Sequence, residues 1–210
     1  SYWHRDEDIS GYATPTSTRQ DVFTVQADND RDNGHSSALY TFNQYGSRAE
    51  VDTTSGTDNT INLSDSERFG SRKQYEMSAS AGLSHRESDF QPSDEVTGAL
   101  TLRAEYTPTL SSLCTASYDR YSTGPFDSDS LLGRAELRHQ LYESLTSTLI
   151  GEGSLYSASD DLSTSETTRY SGGLAESYAK RLSETSRLQV DNTVMLSHTD
   201  VTNSGNIGSV

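Results

Sequence analysis

The sequence predicts an all-β fold, an antiparallel up-and-down meander of long strands. Three observations lead to this prediction. Apolar and small residues alternate with polar residues along several stretches of the 210-residue chain, short polar segments join these stretches in pairs, and a unit the size of one hairpin recurs. A period of two in the apolar residues is typical of a strand with one apolar face.

The clearest alternation runs from Val96 to Tyr106. Every even position in this stretch is apolar or small, whereas the odd positions include Thr101, Arg103 and Glu105. The same alternation predicts strands over residues 75–83, 133–141 and 188–196, and weaker versions predict strands over 22–27, 37–47, 113–121, 149–157 and 170–180. Strands of about nine to eleven residues are long enough to cross a bilayer when tilted, and they exceed the typical strand of about five or six residues.

The connections between these strands are expected to alternate in length. Short polar links are predicted at 107–109, 142–144 and 182–186, and long loops rich in Asp, Ser and Thr at 124–130 and 160–168. Short turns at one end of a sheet and long loops at the other are typical of a meander whose two ends face different environments.

An internal repeat supports the meander. The pattern Tyr106-x-x-x-Leu110 returns as Leu141-x-x-x-Leu145 and again as Tyr178-x-x-x-Leu182, at spacings of 35 and 37 residues. One repeat therefore contains one hairpin and the connection that follows it.

The composition excludes several classes of protein. Sixteen Lys and Arg against 31 Asp and Glu give a net charge of −15, and the basic residues are scattered, so a nucleic-acid partner is not expected. Twelve Tyr, only four Pro and the regular alternation argue against a disordered chain. The single cysteine, Cys114, cannot form an intrachain disulfide and is expected to be a small packing residue.

With these patterns, the sequence resembles the outer-membrane β-barrels of Gram-negative bacteria, in particular large porin-like barrels built from repeated hairpins. The resemblance covers roughly residues 22–199. It implies a transmembrane β-barrel, or part of one, in the bacterial outer membrane, with lipid on its apolar face. It also implies a channel, an export pore or a scaffold for a protein partner in the lumen, with no cofactor.

We expect residues 1–210 to form a single β-barrel segment, an internal piece of a longer barrel. It would be rich in strands over 22–199, with loop-like ends at 1–20 and 200–210. Its acidic loops would bind divalent cations diffusely, since carboxylates suit hard cations.

We single out one group of charged residues on the predicted polar face as a candidate site. Arg103 and Glu105 lie on one hairpin, and Arg134, Glu136 and Arg138 lie on a neighbouring one. In a barrel these charges would face the lumen, where they could form a constriction that filters solutes. The simpler interpretation, which we prefer, is cross-strand ion pairing that satisfies a polar face.

No sequence motif selects a catalytic or metal site. The segment Asp28 to Gly34 resembles a calcium loop, but its glycine comes one place late and its twelfth position is Leu39, so an Asn-Gly hairpin turn is the better prediction. The five histidines are far apart. The sequence also contains no Gly-x-Ser-x-Gly, no Ser-x-x-Lys and no phosphate-binding glycine loop, so we do not expect an enzyme.

Two other functions remain open at this point. A secreted or surface-displayed acidic β-sheet protein, an adhesin or a structural repeat, would pack its apolar faces on each other rather than on lipid. A barrel hydrolase would need a clustered nucleophile, base and acid, which the sequence does not indicate.

Overall fold

The computed structural model describes residues 1–9, 16–48, 53–89, 91–183 and 186–205, which form one eleven-stranded antiparallel sheet. Its strands are β1 (Tyr2–Ile9), β2 (Thr16–Arg31), β3 (Gly34–Arg48), β4 (Thr53–Phe69), β5 (Tyr75–Ser88), β6 (Ser93–Thr107), β7 (Leu110–Thr123), β8 (Phe126–Tyr142), β9 (Leu145–Ser159), β10 (Ser163–Arg181) and β11 (Arg187–Gly205). The spatial order of the strands is their order in the chain. The predicted all-β, up-and-down meander is therefore confirmed.

The strands extend well beyond the predicted stretches. All nine predicted strands are present, and β2 to β11 contain 14 to 19 residues each. Two strands were not predicted. Strand β1 is short, with eight residues. In β4 only Ile61 and Leu63 continue the apolar alternation before Asp65 and Glu67 interrupt it.

The predicted long loops are wrong. Only Gly124 and Pro125 separate β7 from β8, and residues 160–162 separate β9 from β10, so most of both polar segments belongs to strands. Meanwhile the connection at 70–74, which lies at the opposite end of the sheet, has five residues. Backbone ladder bonds do not depend on apolar side chains, so polar sequence can continue a strand beyond its apolar part.

The ends of the chain also differ from the loop-like expectation. Strand β1 and the first part of β2 lie within residues 1–20, and β11 continues to Gly205. Residues 10–15 and 206–210 lie outside the described residues. The hairpin predicted at Asn33-Gly34 is present, but its turn lies one residue earlier: Asp32 and Asn33 join β2 to β3, and Gly34 pairs with Arg31.

The register places most of the apolar side chains on one face, because residues paired across an antiparallel ladder point to the same side. One row across eight strands shows this: Ala27, Ala38, Leu63, Ala81, Gly98, Tyr118, Leu131 and Leu155. We call this side the apolar face and the other the polar face. The upper end of the sheet is the end at which the odd-numbered strands finish.

The sheet has a single layer in the part of the chain that the structure describes. Each strand contacts only the strands beside it in the sheet, and Ala104 is the one buried hydrophobic residue there. A soluble β-protein covers an apolar sheet face with a second layer. Within the described ranges no helix is long and apolar enough to cross a membrane.

Both edges of the sheet are open among the described residues. Strand β1 pairs with β2 alone, β11 pairs with β10 alone, and β1 and β11 do not contact each other.

Candidate functional site: the two faces of the sheet

The apolar face carries a band of aliphatic and small side chains in its middle. On β9, for example, the band consists of Leu149, Gly151, Gly153 and Leu155, and serine lies beyond it on both sides. Leu149 remains 57% exposed, as no other part of the described chain covers it. The band therefore contacts whatever surrounds the sheet.

Aromatic side chains border this band at the lower end. Near the lower turns of five strands lie Phe69, Tyr75, Tyr106, Tyr142 and Tyr178. Phe69 and Tyr75 stack with ring centroids 5.3 Å apart, and the Tyr106 hydroxyl is 3.0 Å from Ser112 Oγ. Rings with one apolar and one polar end favour the boundary between hydrocarbon and water.

A second aromatic row lies near the upper border of the band. Tyr2, Phe23 and Phe42 are consecutive register partners on β1, β2 and β3. On β7 and β10, Tyr118 and Tyr170 are the last apolar side chains of this face toward the upper end. The sequence analysis missed both rows, although Tyr residues near strand ends, at positions in phase with the apolar alternation, would have indicated them.

On several strands, a histidine follows the last apolar side chain of this face toward the upper end, as His85 follows Leu83 and His198 follows Leu196. His85 Nδ1 lies 2.6 Å from Asp94 Oδ1, and His198 Nε2 lies 3.0 Å from Asp200 Oδ2. On β1, His4 bridges two carboxylates, with Nε2 2.7 Å from Asp6 Oδ2 and Nδ1 in contact with Asp21. Each of these histidines thus lies beyond the apolar side chains of its own strand and is paired with an acid.

A shallow groove crosses the apolar face over β7 to β11. Its floor consists of small residues that are register neighbours, namely Cys114, Ala135, Gly151 and Gly172. Leucines on the same strands form its walls. The sequence analysis expected Cys114 to be a small packing residue. In the structure Cys114 is instead exposed in this groove.

The polar face brings the five predicted site residues to one side of the sheet, in two groups. Arg103 and Glu105 lie on β6, and Arg134, Glu136 and Arg138 lie on β8. Strand β7 separates the groups: Leu113 is the register partner of both Arg103 and Glu136, and Ser111 is the partner of both Glu105 and Arg138. Two strand spacings place the groups about 10 Å apart.

Arg134 is the centre of the β8 group. Its Nη2 lies 2.6 Å from Glu136 Oε1, and its Nη1 lies 3.4 Å from Glu152 Oε2 on β9. The side chains of Glu136 and Glu152 are 27% and 30% exposed. One guanidinium therefore joins two carboxylates, one along its own strand and one across the ladder.

The β6 group is a looser pair. Arg103 Nη2 lies 3.3 Å from Glu105 Oε1, and both side chains are well exposed. A similar pair on neighbouring strands, Arg68 and Glu76, continues the charged region toward β4 with 3.2 Å between Nε and Oε2. Arg138 forms no ion pair within the described residues.

The charges on the central and lower part of the polar face balance. Across β4 to β9 they comprise four arginines and four glutamates: Arg68, Arg103, Arg134, Arg138, Glu76, Glu105, Glu136 and Glu152. Between them lie mainly small polar residues such as Ser78, Thr101 and Thr115. The sequence analysis did not include the Arg68–Glu76 pair, because the β4 strand was not predicted.

No group of three or more His, Cys, Asp or Glu side chains in the described ranges is arranged to hold a metal ion. Asp28 and Asp30 lie on β2, where His35 approaches Asp30 with 2.6 Å between Nδ1 and Oδ1. The apolar face is thus suited to contact with hydrocarbon, and the polar face to contact with water and ions.

A single-layer antiparallel meander with an apolar band between two aromatic rows has the design of a β-barrel wall in an outer membrane. No protein-family model matches the chain, and no curated protein matches it. Among solved structures, the chain is similar to the β domain of the Bordetella autotransporter BrkA, at 8% identity and a TM-score of 0.32 over 96% of this chain and 93% of that one.

The chain is also similar to the KdgM porin. The porin alone matches at 12% identity and the porin in complex with disordered oligogalacturonate at 11%, each with a TM-score of 0.23 over 96% of both chains. Values this low carry no weight for function, so the class of the protein rests on the faces and pairing of its own sheet.

Proposed function

We propose that this chain forms the wall of an outer-membrane β-barrel that conducts small polar solutes and ions along its polar face. The observation that carries the proposal is the exposed apolar band of a single-layer sheet, bounded by aromatic rows. In lipid, every backbone N–H and C=O must be paired within the protein, and the ten antiparallel ladders pair those of β2 to β10 on both sides. Hydrocarbon then covers side chains such as Leu149, so that their apolar surface does not contact water.

The polar face supports a water-filled lumen. Its charged side chains are paired or balanced, and the residues between them are mostly Ser and Thr, which bind water and leave space. A packed protein core would instead need large apolar side chains on this face. The row of Arg103, Glu105, Arg134, Glu136 and Arg138 would line the passage and contact the solutes.

The upper end of the apolar face is acidic and supports a preference for cations. Eight carboxylates lie there: Asp6, Asp21, Glu87, Asp94, Asp127, Asp129, Glu166 and Asp200. Together with the net charge of −15, they make the local potential negative and raise the local concentration of cations. Diffusely bound divalent cations would join these carboxylates to anionic lipid headgroups.

The proposal is tested by extracting the protein from membranes in detergent and recording from planar bilayers. We expect discrete conductance steps and a reversal potential that favours cations in a salt gradient. Inserted protein without conductance would contradict the channel and favour a filled barrel that holds a partner. Protein that is soluble without detergent would contradict the membrane assignment and favour the acidic surface β-sheet protein.

A further inference from the structure

Aromatic side chains also occur on the polar face, and those of the described residues all lie in its upper half. They are Trp3, Tyr45, Tyr121, Phe126 and Tyr156. Trp3 is 44% exposed, and Tyr121 is 37% exposed. Since this face is opposite the apolar band, hydrocarbon does not cover these rings, and a ligand with an apolar surface would gain by covering them.

One register row connects the aromatic side chains to a group of polar ones. From β1 to β8 this row, which we call the polar-face row, consists of Trp3, Val22, Asn43, Asp58, Arg86, Ser93, Thr123 and Phe126. Tyr45 and Tyr121 lie two residues from the row, on β3 and β7. Rings therefore flank the polar middle of the row on both sides.

The polar side chains in the middle of the row form a hydrogen-bonded network. Gln20 Nε2 donates to Asn43 Oδ1 at 3.0 Å, and Asn43 Nδ2 lies 3.5 Å from Asp58 Oδ2. From the other side, Arg86 Nε donates to Asp58 Oδ1 at 2.6 Å, and the side chain of Asp58 is only 20% exposed. The network extends over four strands, β2 to β5, which is about 14 Å.

The network retains both donors and acceptors for a further partner. Gln20 and Asn43 each have a second amide N–H, and Arg86 has the N–H groups of its two Nη atoms. Gln20 Oε1 and the Asp58 oxygens can still accept. A sugar hydroxyl both donates and accepts, so neighbouring hydroxyls of a sugar match this mixed set. Gln20 and Tyr45 also line a depression beside the row, in which a ring could lie.

The charges near the row argue against an acidic ligand. On the upper part of this face over β4 to β7, Asp58, Glu95 and Asp119 outnumber Arg86. Carboxylates repel an anion, and like charges brought together on binding cost several kcal/mol. A neutral ligand with many hydroxyl groups therefore fits the row better.

We propose that the polar-face row binds a neutral oligosaccharide. Sugar rings stack on Trp3, Tyr45 and Tyr121 through their apolar C–H faces. Sugar hydroxyls exchange hydrogen bonds with the network that joins Gln20 to Arg86. The inference rests on the proposed function, because it names the class of solute that the lumen accepts.

Binding of sugars to the full protein in detergent tests the proposal. Trp3 is the one tryptophan of the 210-residue chain, so its fluorescence reports on this row alone. The neutral probes are maltotriose, cellotriose and mannotriose, and the acidic probe is a trisaccharide of glucuronic acid. We expect a saturating change with at least one neutral probe, and binding of the acidic probe that is weaker by about tenfold or more. Isothermal titration calorimetry detects binding that leaves the fluorescence unchanged.

Two pairs of variants locate the site. Asn43→Ala should weaken binding about tenfold, the effect of losing a hydrogen-bonding group worth about 1.4 kcal/mol. Asn62→Ala is its matched control, because Asn62 lies on the same face about 13 Å along β4 from Asp58. Tyr121→Ala should also weaken binding, whereas Tyr118→Ala, on the apolar face of the same strand, should not. Tyr121→Ala leaves the network intact, so it remains informative if Asn43→Ala does not fold.

Three results would overturn the proposal: no binding of any neutral probe, equal binding of the acidic probe, or unchanged binding in Asn43→Ala and Tyr121→Ala. Recordings from planar bilayers report on the channel separately. A conducting protein that binds no sugar would overturn this inference and keep the proposed function. Sugar binding without conductance would overturn the channel and keep the binding site.

Discussion

Arg134 on β8 reaches its register partner Glu152 on β9, with 3.4 Å between Nη1 and Oε2. The same guanidinium contacts Glu136 along its own strand. Because the side chains stay in contact with water, these pairs stabilise the sheet little, by about 1 kcal/mol or less. Under the proposed function, their larger effect would be on the charge that a solute meets along the polar face.

Replacing this arginine should therefore change ion selectivity more than stability. Arg134→Gln leaves Glu136 and Glu152 without their cation, so we expect a stronger preference for cations in reversal-potential measurements. Arg138→Gln is the matched control, since it removes the same charge from the same strand without breaking an ion pair. Equal shifts for the two variants would mean that pairing around Arg134 does not matter for conduction.

The assignment of the faces predicts opposite results at two neighbouring residues. Leu100 lies in the apolar band of β6, and Thr101 lies next to it on the polar face. Leu100→Arg should lower the free energy of unfolding from lipid vesicles by about 2 to 4 kcal/mol, the cost of a cation in the middle of a membrane. Thr101→Arg should cost much less. Equal losses, measured by urea titration, would contradict the assignment.

The sequence predicted most strands and both faces because alternation is a local property. Residues 96–106 show it without reference to any neighbour. Strand β4 was missed because Ile61 and Leu63 alone carry its apolar pattern, and its pairing with β3 and β5 supplies the order that local sequence does not show. The predicted loop at 124–130 failed because its polar residues pair with β7 through the backbone.

The candidate site was predicted in part for the same reason. Alternation places Arg134, Glu136 and Arg138 on one face, but it does not say which residue of the next strand lies beside them. The contact between Arg134 and Glu152 depends on the register set by the β8–β9 hairpin and its irregularity between Gln140 and Tyr142. Registers of this kind are a property of pairs of strands, not of single ones.

Two adjacent glycines on β10 should respond differently to the same substitution. A Cβ atom at Gly173 would overlap the Val194 carbonyl oxygen and Met195 on β11, whereas at Gly172 the nearest atom is the Ile150 carbonyl oxygen at 3.7 Å. Gly173→Ala should therefore destabilise the sheet by about 1 to 3 kcal/mol, as overpacking does. Gly172→Ala should be close to neutral. Unfolding from vesicles measures both, and a neutral Gly173→Ala would show that β11 can shift.

The turn between β9 and β10 should open at acid pH, because its geometry depends on an ionised aspartate. Asp160 Oδ1 accepts hydrogen bonds from the backbone N–H groups of Leu162 and Ser163, at 2.8 and 2.7 Å, and these bonds hold the pKa of Asp160 below its ordinary value. A lowered pKa in the folded state means that ionisation stabilises the turn above the unfolded pKa of about 3.9, and that this contribution is lost as pH falls through the folded value.

Amide hydrogen exchange at Leu162 and Ser163 should therefore accelerate at acid pH beyond the intrinsic pH dependence of exchange. Asp160→Asn keeps an acceptor oxygen but removes the charge, so it should abolish this extra pH dependence, and Asp161→Asn next to it should leave it unchanged. An unaltered pH dependence in Asp160→Asn would show that the carboxylate does not hold the turn.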